Sequence, residues 1–151
     1  MSETIFSKIV NGELKSWKVW EDDKHLAFLT PFPNTPGLTV VIPKTNTGDY
    51  IYNLEEDDFK SLFSATKTVA RILEKAFNTP RVALVFEGTG VAHVHAKLYP
   101  LHGELAGKTD VWSPHTEFTL EYRGWITTVE GPKMDDEELD KIQKQIISAQ
   151  G

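Results

Sequence analysis

The chain has 151 residues, of which 40% are hydrophobic, with 8 prolines and 10 glycines. These values indicate one globular domain with a core of its own. The absence of cysteine excludes a disulfide framework, a thiolate zinc site and a cysteine nucleophile. The formal net charge of -6 disfavours a protein that coats the phosphate backbone of nucleic acid.

The first residues, MSETIFSKIVNGELKS, do not have the basic cap and apolar run of a secretion signal. No later stretch approaches the roughly 20 consecutive apolar residues that a membrane-spanning helix needs. We therefore expect a cytoplasmic protein with neither a membrane nor a nucleic acid as its partner.

The first half of the chain predicts a helix, strands and a second helix. Apolar spacing predicts a short amphipathic helix over residues 5–10, which ends at Asn11 and Gly12. Residues 18–22 and 26–30 predict a strand pair, and residues 38–44 a strand that Pro43 ends, with a proline-rich loop over 30–37 between them. Asn53, with Glu56 three residues later, predicts the capped start of a long amphipathic helix that breaks at residues 78–80.

The second half predicts more strands and a last helix. Residues 81–88 predict a buried strand, because their apolar residues are continuous. Residues 117–129 predict two strands that meet near Gly124, and residues 135–149 a helix with an acidic first turn. These elements predict a single α+β domain over residues 1–151, built around an antiparallel sheet.

The segment 91–101 predicts a strand with an unusual polar face. Strict alternation puts His93, His95 and Lys97 on one face, together with Val91 and Tyr99. Neighbouring side chains on such a face lie about 6.5–7 Å apart, so they can address one ligand together. Two imidazoles can supply a nucleophile or a base, and the lysine can hold an anion. This combination favours phosphoryl chemistry, although metal chelation and an ordinary solvated strand face produce the same pattern.

Several segments, taken in order, resemble the histidine triad (HIT) family. They are TIFSKIVNGE, VWEDDKHLAFLTPFPNTPGLTVVIPK, the helix that follows Asn53, and VFEGTGVAHVHAKLYPL. The resemblance covers about residues 4–101, and residues 102–151 form a C-terminal extension of strands and one helix outside it. The resemblance implies a sheet of about five antiparallel strands with two main helices, and a homodimer.

The resemblance also implies an activity. Family members bind a purine nucleotide and cleave at its α-phosphate through a covalent nucleotidyl-histidine intermediate, without a metal or another cofactor. The nucleophile falls on His95, and the acceptor that holds its second nitrogen is the main-chain carbonyl of His93. The resemblance and the apolar character of several positions together assign nucleotide binding to a set of further residues: Phe6, Ile9, Phe28, Thr30, Val40, Phe86, Thr89 and Gly90, with Ile5 beside them. The apolar members of this set fit ordinary core packing equally well.

The chain departs from the family pattern at identifiable positions. Lys97 replaces the third histidine of the triad, Thr30 replaces the ribose-binding aspartate, and Gly90 replaces a residue whose hydroxyl binds phosphate. Phe86 and Leu38 stand where asparagine and histidine are frequent. Thr4 and Ser7 occupy the places of the Cys-x-x-Cys pair in the zinc-binding branch, so we expect no structural zinc there.

Residues outside the triad segment carry weaker signals. His25, His102 and His115 are interpreted as turn or loop histidines. If the extension covers the site, Lys108 and Arg123 are candidates to contact a distal phosphate.

Three hypotheses follow. The first is a hydrolase or transferase that acts on an adenosine 5′-phosphate derivative, either a dinucleoside polyphosphate or a nucleoside phosphoramidate. The second is a nucleotide-binding module with little or no catalysis, because Lys97, Gly90 and Thr30 replace functional residues. The third is a metal-binding domain that uses His93, His95 and His102.

Overall fold

The computed structural model describes residues 3–129 and 131–150. The chain divides into two compact units, one that ends at Thr109 and one that begins at Asp110. We describe each unit by itself, and the single-domain organisation over residues 1–151 stays a prediction.

The larger unit is a five-stranded antiparallel sheet with helices. Its strand order is β1-β2-β3-β5-β4, and the fold is the α+β architecture that the sequence predicts. Its elements are α1 (Ile5–Val10), β1 (Trp17–Glu21), β2 (His25–Leu29), β3 (Thr39–Pro43), α2 (Glu56–Phe77), β4 (Val82–Val85) and β5 (Ala96–Pro100). Two 3-10 turns, Ile51–Asn53 and Glu104–Gly107, complete it.

The two faces of the sheet carry separate hydrophobic clusters, because successive side chains of a strand point to opposite faces. One cluster joins Ala27, Val41 and Leu98 to buried residues of α2 such as Leu62 and Val69. The other cluster consists of Phe6 from α1 and the strand residues Leu26, Phe28, Val40 and Ile42. The short helix α1 therefore packs with the cluster on which a ligand site can form.

The long helix α2 begins later than predicted. Asn53 belongs to a 3-10 turn that buries Ile51 (3% exposed), and Glu55 takes the N-cap position instead. The predicted cap at Asn53 is therefore wrong, because burial of Ile51 fixes the turn before the helix starts. The end is as predicted: Asn78 adopts a left-handed conformation (φ 49°, ψ 44°) that closes α2.

Strand β4 is an edge strand, so the prediction of a buried strand is wrong. It pairs only with β5 in the sheet order, and Leu84 is 38% exposed. Val82 packs with the cluster on the α2 side, whereas Leu84 lines an open groove beside α2 residues such as Phe63 and stays partly exposed.

The predicted strand over 91–101 is present only from Ala96 to Pro100. Before it, the chain bends, since the backbone N–H of Val94 donates to the carbonyl of Gly48 at 2.6 Å and that of His93 to Val91 at 2.8 Å. One local hydrogen bond and one to a distant loop therefore replace strand pairing around the two histidines.

The smaller unit has one helix and no sheet in its described residues. The helix α3 (Asp136–Ser148) lies inside the predicted range of 135–149, with an acidic first turn. The two strands predicted over 117–129 are absent, and the prediction is wrong: Phe118, Leu120 and Trp125 are all more than half exposed and provide no buried face for a strand. In the described part of the chain, no helix is long and apolar enough to cross a membrane.

Candidate active site

A cavity of about 550 Å³ opens on the sheet face that α1 covers. Its floor follows the strand register, in which Phe28 lies opposite Val40 and Val40 lies opposite Lys97. Phe6 of α1 packs edge-on against Phe28, with ring centroids 5.5 Å apart, and against His95 at 5.2 Å. The cavity therefore has an apolar aromatic wall and a polar end.

Most of the residues that the sequence singles out meet in this cavity. Those that line it are Ile5, Phe6, Ile9, Phe28, Thr30, Val40, Thr89, Gly90, His95 and Lys97. Their binding of a nucleotide stays a prediction. His93 and Phe86 are not among the lining residues.

His95 is held in one tautomer. Its ring is buried (5% exposed), and its Nδ1 lies 2.8 Å from the carbonyl oxygen of His93. Because a carbonyl can only accept, Nδ1 carries the hydrogen and Nε2 keeps a lone pair. Nε2 has no hydrogen-bond partner among the described residues, and the ring lines the cavity. The arrangement presents an unprotonated imidazole nitrogen to whatever occupies the cavity.

His93 is a buried structural support for that arrangement. It is fully buried, with Nε2 2.7 Å from the carbonyl oxygen of Pro43 and Nδ1 3.3 Å from Thr4 Oγ1. Nε2 therefore donates to Pro43, and the Thr4 hydroxyl donates to Nδ1. The sequence predicts His93 on the same face as His95. Both rings pack edge-on against Phe6, at 5.8 and 5.2 Å between centroids, but His93 does not line the cavity, and its catalytic role stays a prediction.

Thr4 links His93 to α1. Its hydroxyl accepts from the N–H of Ser7 at 3.2 Å, while the Ser7 hydroxyl accepts from the N–H of Thr4 at 3.3 Å. This reciprocal pair is a capping box. The two positions that would carry cysteines in the zinc-binding branch thus cap a helix. Thr4 and His93 are 89 residues apart in the sequence, so no local sequence pattern predicts their contact.

Both histidines have lowered pKa values. Burial lowers the pKa of His93, while its bond to the Pro43 carbonyl raises it. Burial is also the main cause that lowers the pKa of His95, and the Lys97 charge lowers this pKa further. The bond to the His93 carbonyl and the Glu87 charge both raise the pKa of His95. Both rings are therefore neutral at neutral pH, as a nucleophilic imidazole must be.

Lys97 does not stand alone at the polar end of the cavity. Its Nζ lies 3.2 Å from Oε2 of Glu87, and the two side chains are 29% and 12% exposed. Glu87 is a residue that sequence reasoning did not assign to the site.

The cavity also contains residues that the sequence did not predict. Among them are Leu14, Lys15, Ser16, Trp17 and Phe32. Lys15 Nζ lies 5.3 Å from the Trp17 ring centroid, in a cation–π geometry. Trp17 (48%) and Phe32 (87%) are exposed aromatic side chains, and the sequence alone does not distinguish them from core residues.

Other candidate residues lie elsewhere. Phe86 packs with Phe63, at 5.2 Å between ring centroids, in the cluster on the α2 side. This position, where asparagine is frequent in the family, therefore faces the core. Tyr99 and His102 line a different, open cavity of about 410 Å³, where His102 Nε2 donates to the Pro36 carbonyl at 2.7 Å.

His25 is buried (4% exposed) and anchors the β1–β2 turn to α2. Its Nδ1 lies 3.0 Å from Asp22 Oδ1, and its Nε2 lies 3.2 Å from Ser61 Oγ. The carboxylate of Asp22 also accepts from the backbone N–H of Lys24 and His25. These contacts agree with the interpretation of His25 as a structural residue.

The remaining polar candidates are distributed over both units. Lys108 belongs to the larger unit. In the smaller unit, Arg123 forms an ion pair with Glu117 and lies 3.5 Å from the Trp125 ring centroid. The exposed His115 hydrogen-bonds through its backbone N–H to Ser113. Contact of Lys108 or Arg123 with a distal phosphate stays a prediction.

A metal centre is not supported by the geometry of the histidines. Within residues 3–129 and 131–150, no group of three or more His, Asp or Glu side chains is placed to hold a metal ion. Both ring nitrogens of His93 are already engaged.

Comparison with known proteins agrees with this geometry. The family model described as HIT domain matches residues 11–103. The Bacillus subtilis "Protein hit" is 35% identical over 118 residues, which cover 75% of this chain and 81% of that protein. The adenosine 5′-monophosphoramidase of Candida albicans is 30% identical over 117 residues, which cover 72% and 76% respectively.

Solved structures share the fold. The crystal structure of a HIT family member from Bacillus subtilis matches with a TM-score of 0.66 and 28% identity, covering 97% of this chain and 96% of that one. A Streptococcus mutans protein matches with a TM-score of 0.69 and 26% identity, covering 100% and 87%. On the family model and these relatives, the chain belongs to the HIT domain family.

Proposed function

We propose that this protein is a nucleotide-binding hydrolase or transferase that cleaves at the α-phosphate of an adenosine 5′-phosphate derivative, through a covalent nucleotidyl intermediate on His95. The observation that carries the proposal is the orientation of His95: Nδ1–H is fixed by the His93 carbonyl, and the unprotonated Nε2, on a ring that lines the cavity, has no partner within residues 3–129 and 131–150.

The chemistry follows from that orientation. The lone pair of Nε2 attacks the α-phosphorus, an N–P bond forms, and the bond from phosphorus to the leaving group breaks. The leaving group departs with the electron pair of that bond and takes up a proton as its basicity requires. Water then attacks the phosphorus and gives up a proton to solvent, while the N–P bond breaks and its electron pair returns to Nε2, which gives a nucleoside monophosphate and neutral His95. The His93 carbonyl stabilises the positive charge that the imidazole carries while the N–P bond exists.

The cavity offers groups for both ends of a nucleotide. Lys97 supplies a cation for the phosphate, and the loop that includes Thr89 and Gly90 supplies polar groups at the same end. Phe6 and Phe28 supply flat apolar walls, which suit a purine ring.

Two substrate classes fit the site, a dinucleoside polyphosphate and a nucleoside phosphoramidate. The similarity to the Candida albicans adenosine 5′-monophosphoramidase supports the phosphoramidate, and two lysines in the cavity, Lys15 and Lys97, favour a polyanionic substrate. The absence of carboxylate and amide side chains from the described lining residues supports a site that reads a purine mainly by shape.

The proposal includes a homodimer in the cytoplasm. The edge strand β4 leaves main-chain groups available for pairing with a second strand. Leu84 of this strand and Phe63 of α2 are exposed and line an open apolar groove. Sedimentation velocity of the wild-type protein and of Leu84→Lys tests this: a dimer that becomes a monomer supports it, and a wild-type monomer at high concentration contradicts it.

The experiment for the activity is turnover of a panel of adenosine and guanosine phosphoramidates and dinucleoside polyphosphates. His95→Ala should abolish release of nucleoside monophosphate, and the matched variant His102→Ala, which changes a histidine outside the cavity, should retain it. Equal turnover by wild type and His95→Ala would contradict the proposal.

A nucleotide-binding module without catalysis is the second candidate, favoured by the replacement of the third triad histidine with an ion-paired lysine. It predicts saturable binding of a purine nucleotide in calorimetry and no product after long incubation with any member of the panel.

A further inference from the structure

Glu87 contacts Lys97 from outside the cavity. Lys97 is among the lining residues and Glu87 is not, so the carboxylate that pairs with the lysine lies outside the lining of the cavity. We propose that Glu87 is a positioning residue, which holds the Lys97 ammonium at the polar end of the cavity and offsets its charge at His95. The catalytic part of this inference rests on the proposed function.

The contact is well placed to restrain a lysine. The Nζ–Oε2 distance is 3.2 Å, and the Glu87 side chain is only 12% exposed. A lysine has a flexible four-carbon stem whose ordering costs entropy, and a half-buried charged hydrogen bond can hold the end of that stem in one position. Since the carboxylate is largely shielded from solvent, salt screens this pair less than an exposed one.

The strand register explains why residue 87 reaches residue 97. Val85 at the end of β4 lies opposite Lys97 of β5, and Glu87 follows two residues later. Gly88 then adopts a positive φ of 77° and turns the chain toward Thr89 and Gly90 of the cavity. Glu87 is therefore the last side chain before the loop, next to the strand position of Lys97.

The carboxylate also changes what Lys97 does to the nucleophile. A lone ammonium beside His95 would repel the protonated imidazole and so lower the pKa of the ring. In this structure the Lys97 charge lowers the pKa of His95 and the Glu87 charge raises it. The other groups around His95 are the neutral His93 of its own segment, apolar residues of α1 such as Phe6, and Lys15 on the cavity wall. Lys97 can thus contact a phosphate while the Glu87 charge opposes the effect of Lys97 on the pKa of the His95 ring.

The first arm of the test needs no substrate. Proton NMR titration of the His95 ring in the protein without ligand should give a lower pKa for Glu87→Gln, a higher pKa for Lys97→Met, and a value near that of the wild type for the double variant. Glu74→Gln, which removes an ion-paired carboxylate from α2, should leave the titration unchanged. If Glu87→Gln leaves the His95 titration at the wild-type pH, Glu87 does not compensate Lys97 and the inference is overturned.

The second arm uses the best substrate of the panel. Glu87→Gln should lower kcat by about tenfold, because a misplaced cation no longer meets the phosphate as charge develops, and Glu87→Asp should restore part of the loss. In the Lys97→Met background, Glu87→Gln should leave kcat unchanged at a pH at which the His95 ring is neutral in both variants. An equal loss in both backgrounds would show that Glu87 acts independently of Lys97 and would overturn the inference.

The two arms separate this inference from the proposed function. If the wild-type protein turns over no substrate, the proposed function fails, while the NMR titration still decides whether Glu87 offsets the charge of Lys97. If turnover depends on His95 but not on Glu87, the proposed function stands and the positioning role is wrong.

Discussion

Nδ1 of His95 donates a hydrogen bond of 2.8 Å to the main-chain oxygen of His93. Through this bond a residue that does not line the cavity fixes the tautomer of one that does. His93 is in turn fixed by Pro43 and Thr4, so the His95 ring is oriented by β3 and by the start of α1. Residues remote from the cavity should therefore affect its chemistry.

Thr4→Val should weaken both the fold and the site. The variant loses the N-cap of α1, which costs about 1 kcal/mol of unfolding free energy, and removes the hydroxyl donor from His93 Nδ1. We expect a lower urea midpoint and a slower formation of the nucleotidyl adduct. Thr4→Ser keeps the hydroxyl and serves as the control; a wild-type midpoint and rate for Thr4→Val would contradict the role of Thr4.

The rate of adduct formation should be constant around neutral pH and fall only in acid. Burial lowers the pKa of His95, so the ring stays neutral below the ordinary histidine value of about 6.5. We expect the acidic limb of the rate profile to lie below pH 6.5 for a well-saturated enzyme. An acidic limb above pH 6.5 would mean that burial does not set the pKa of the His95 ring.

The free energy of unfolding should also fall as the pH is lowered below neutrality. The pKa values of His93 and His95 are lower in the folded than in the unfolded protein, so protonation favours the unfolded state. Their contribution is fully present above about pH 6.5 and is lost as the pH falls through the folded values. Urea unfolding at a series of pH values from 7.5 downward should show this loss, and His93→Asn combined with His95→Asn should flatten it.

Gly37→Ala should destabilise the protein more than Gly12→Ala. Both glycines have a positive φ, 82° and 76° respectively, so each alanine incurs a similar backbone strain of about 1 kcal/mol. A Cβ on Gly37 would in addition lie 2.3 Å from the Phe77 ring, whereas one on Gly12 meets nothing within 4 Å. We expect an extra loss of about 1–3 kcal/mol for Gly37→Ala in urea unfolding; equal losses would contradict the packing of Phe77 on this turn.

His25→Ala should reduce stability and spare nucleotide binding. The buried ring links Asp22 to Ser61, and its removal leaves a void and unpaired polar groups at a cost of about 2–3 kcal/mol. Lys24→Ala, at an exposed neighbour, should change the unfolding free energy by less than about 0.5 kcal/mol. A loss of nucleotide affinity in a folded His25→Ala protein would mean that this histidine belongs to the site.

Sequence patterns predicted the elements whose signals are local. The apolar spacing of α1 and α2, the Asn78 terminator and the short strands around the proline-rich loop all depend on neighbours in sequence. The edge position of β4 depends on strand order, which its own residues do not encode, and the strands expected over 117–129 failed because alternating apolar residues there face solvent.

The sequence predicted many of the residues that line the cavity, but it did not predict the contacts that hold those residues in place. Alternation in the segment of His95 and Lys97 brought both to one ligand face, and both line the cavity. It did not predict that His93 is fully buried and bonded to Pro43 and Thr4 instead of lining the cavity. The contacts of Thr4 with His93 and of Glu87 with Lys97 join different segments of the chain, which single-sequence periodicity cannot detect.

The central claim, covalent catalysis by His95, is tested most directly by mass spectrometry. The wild-type protein is mixed with an adenosine phosphoramidate or dinucleoside polyphosphate, quenched without acid, and analysed intact and after proteolysis. The account predicts an adduct of one adenosine monophosphate on His95 that chases to product and is absent from His95→Ala. Product formation by the wild-type protein with no adduct at any quench time, or an adduct that persists in His95→Ala, would contradict it.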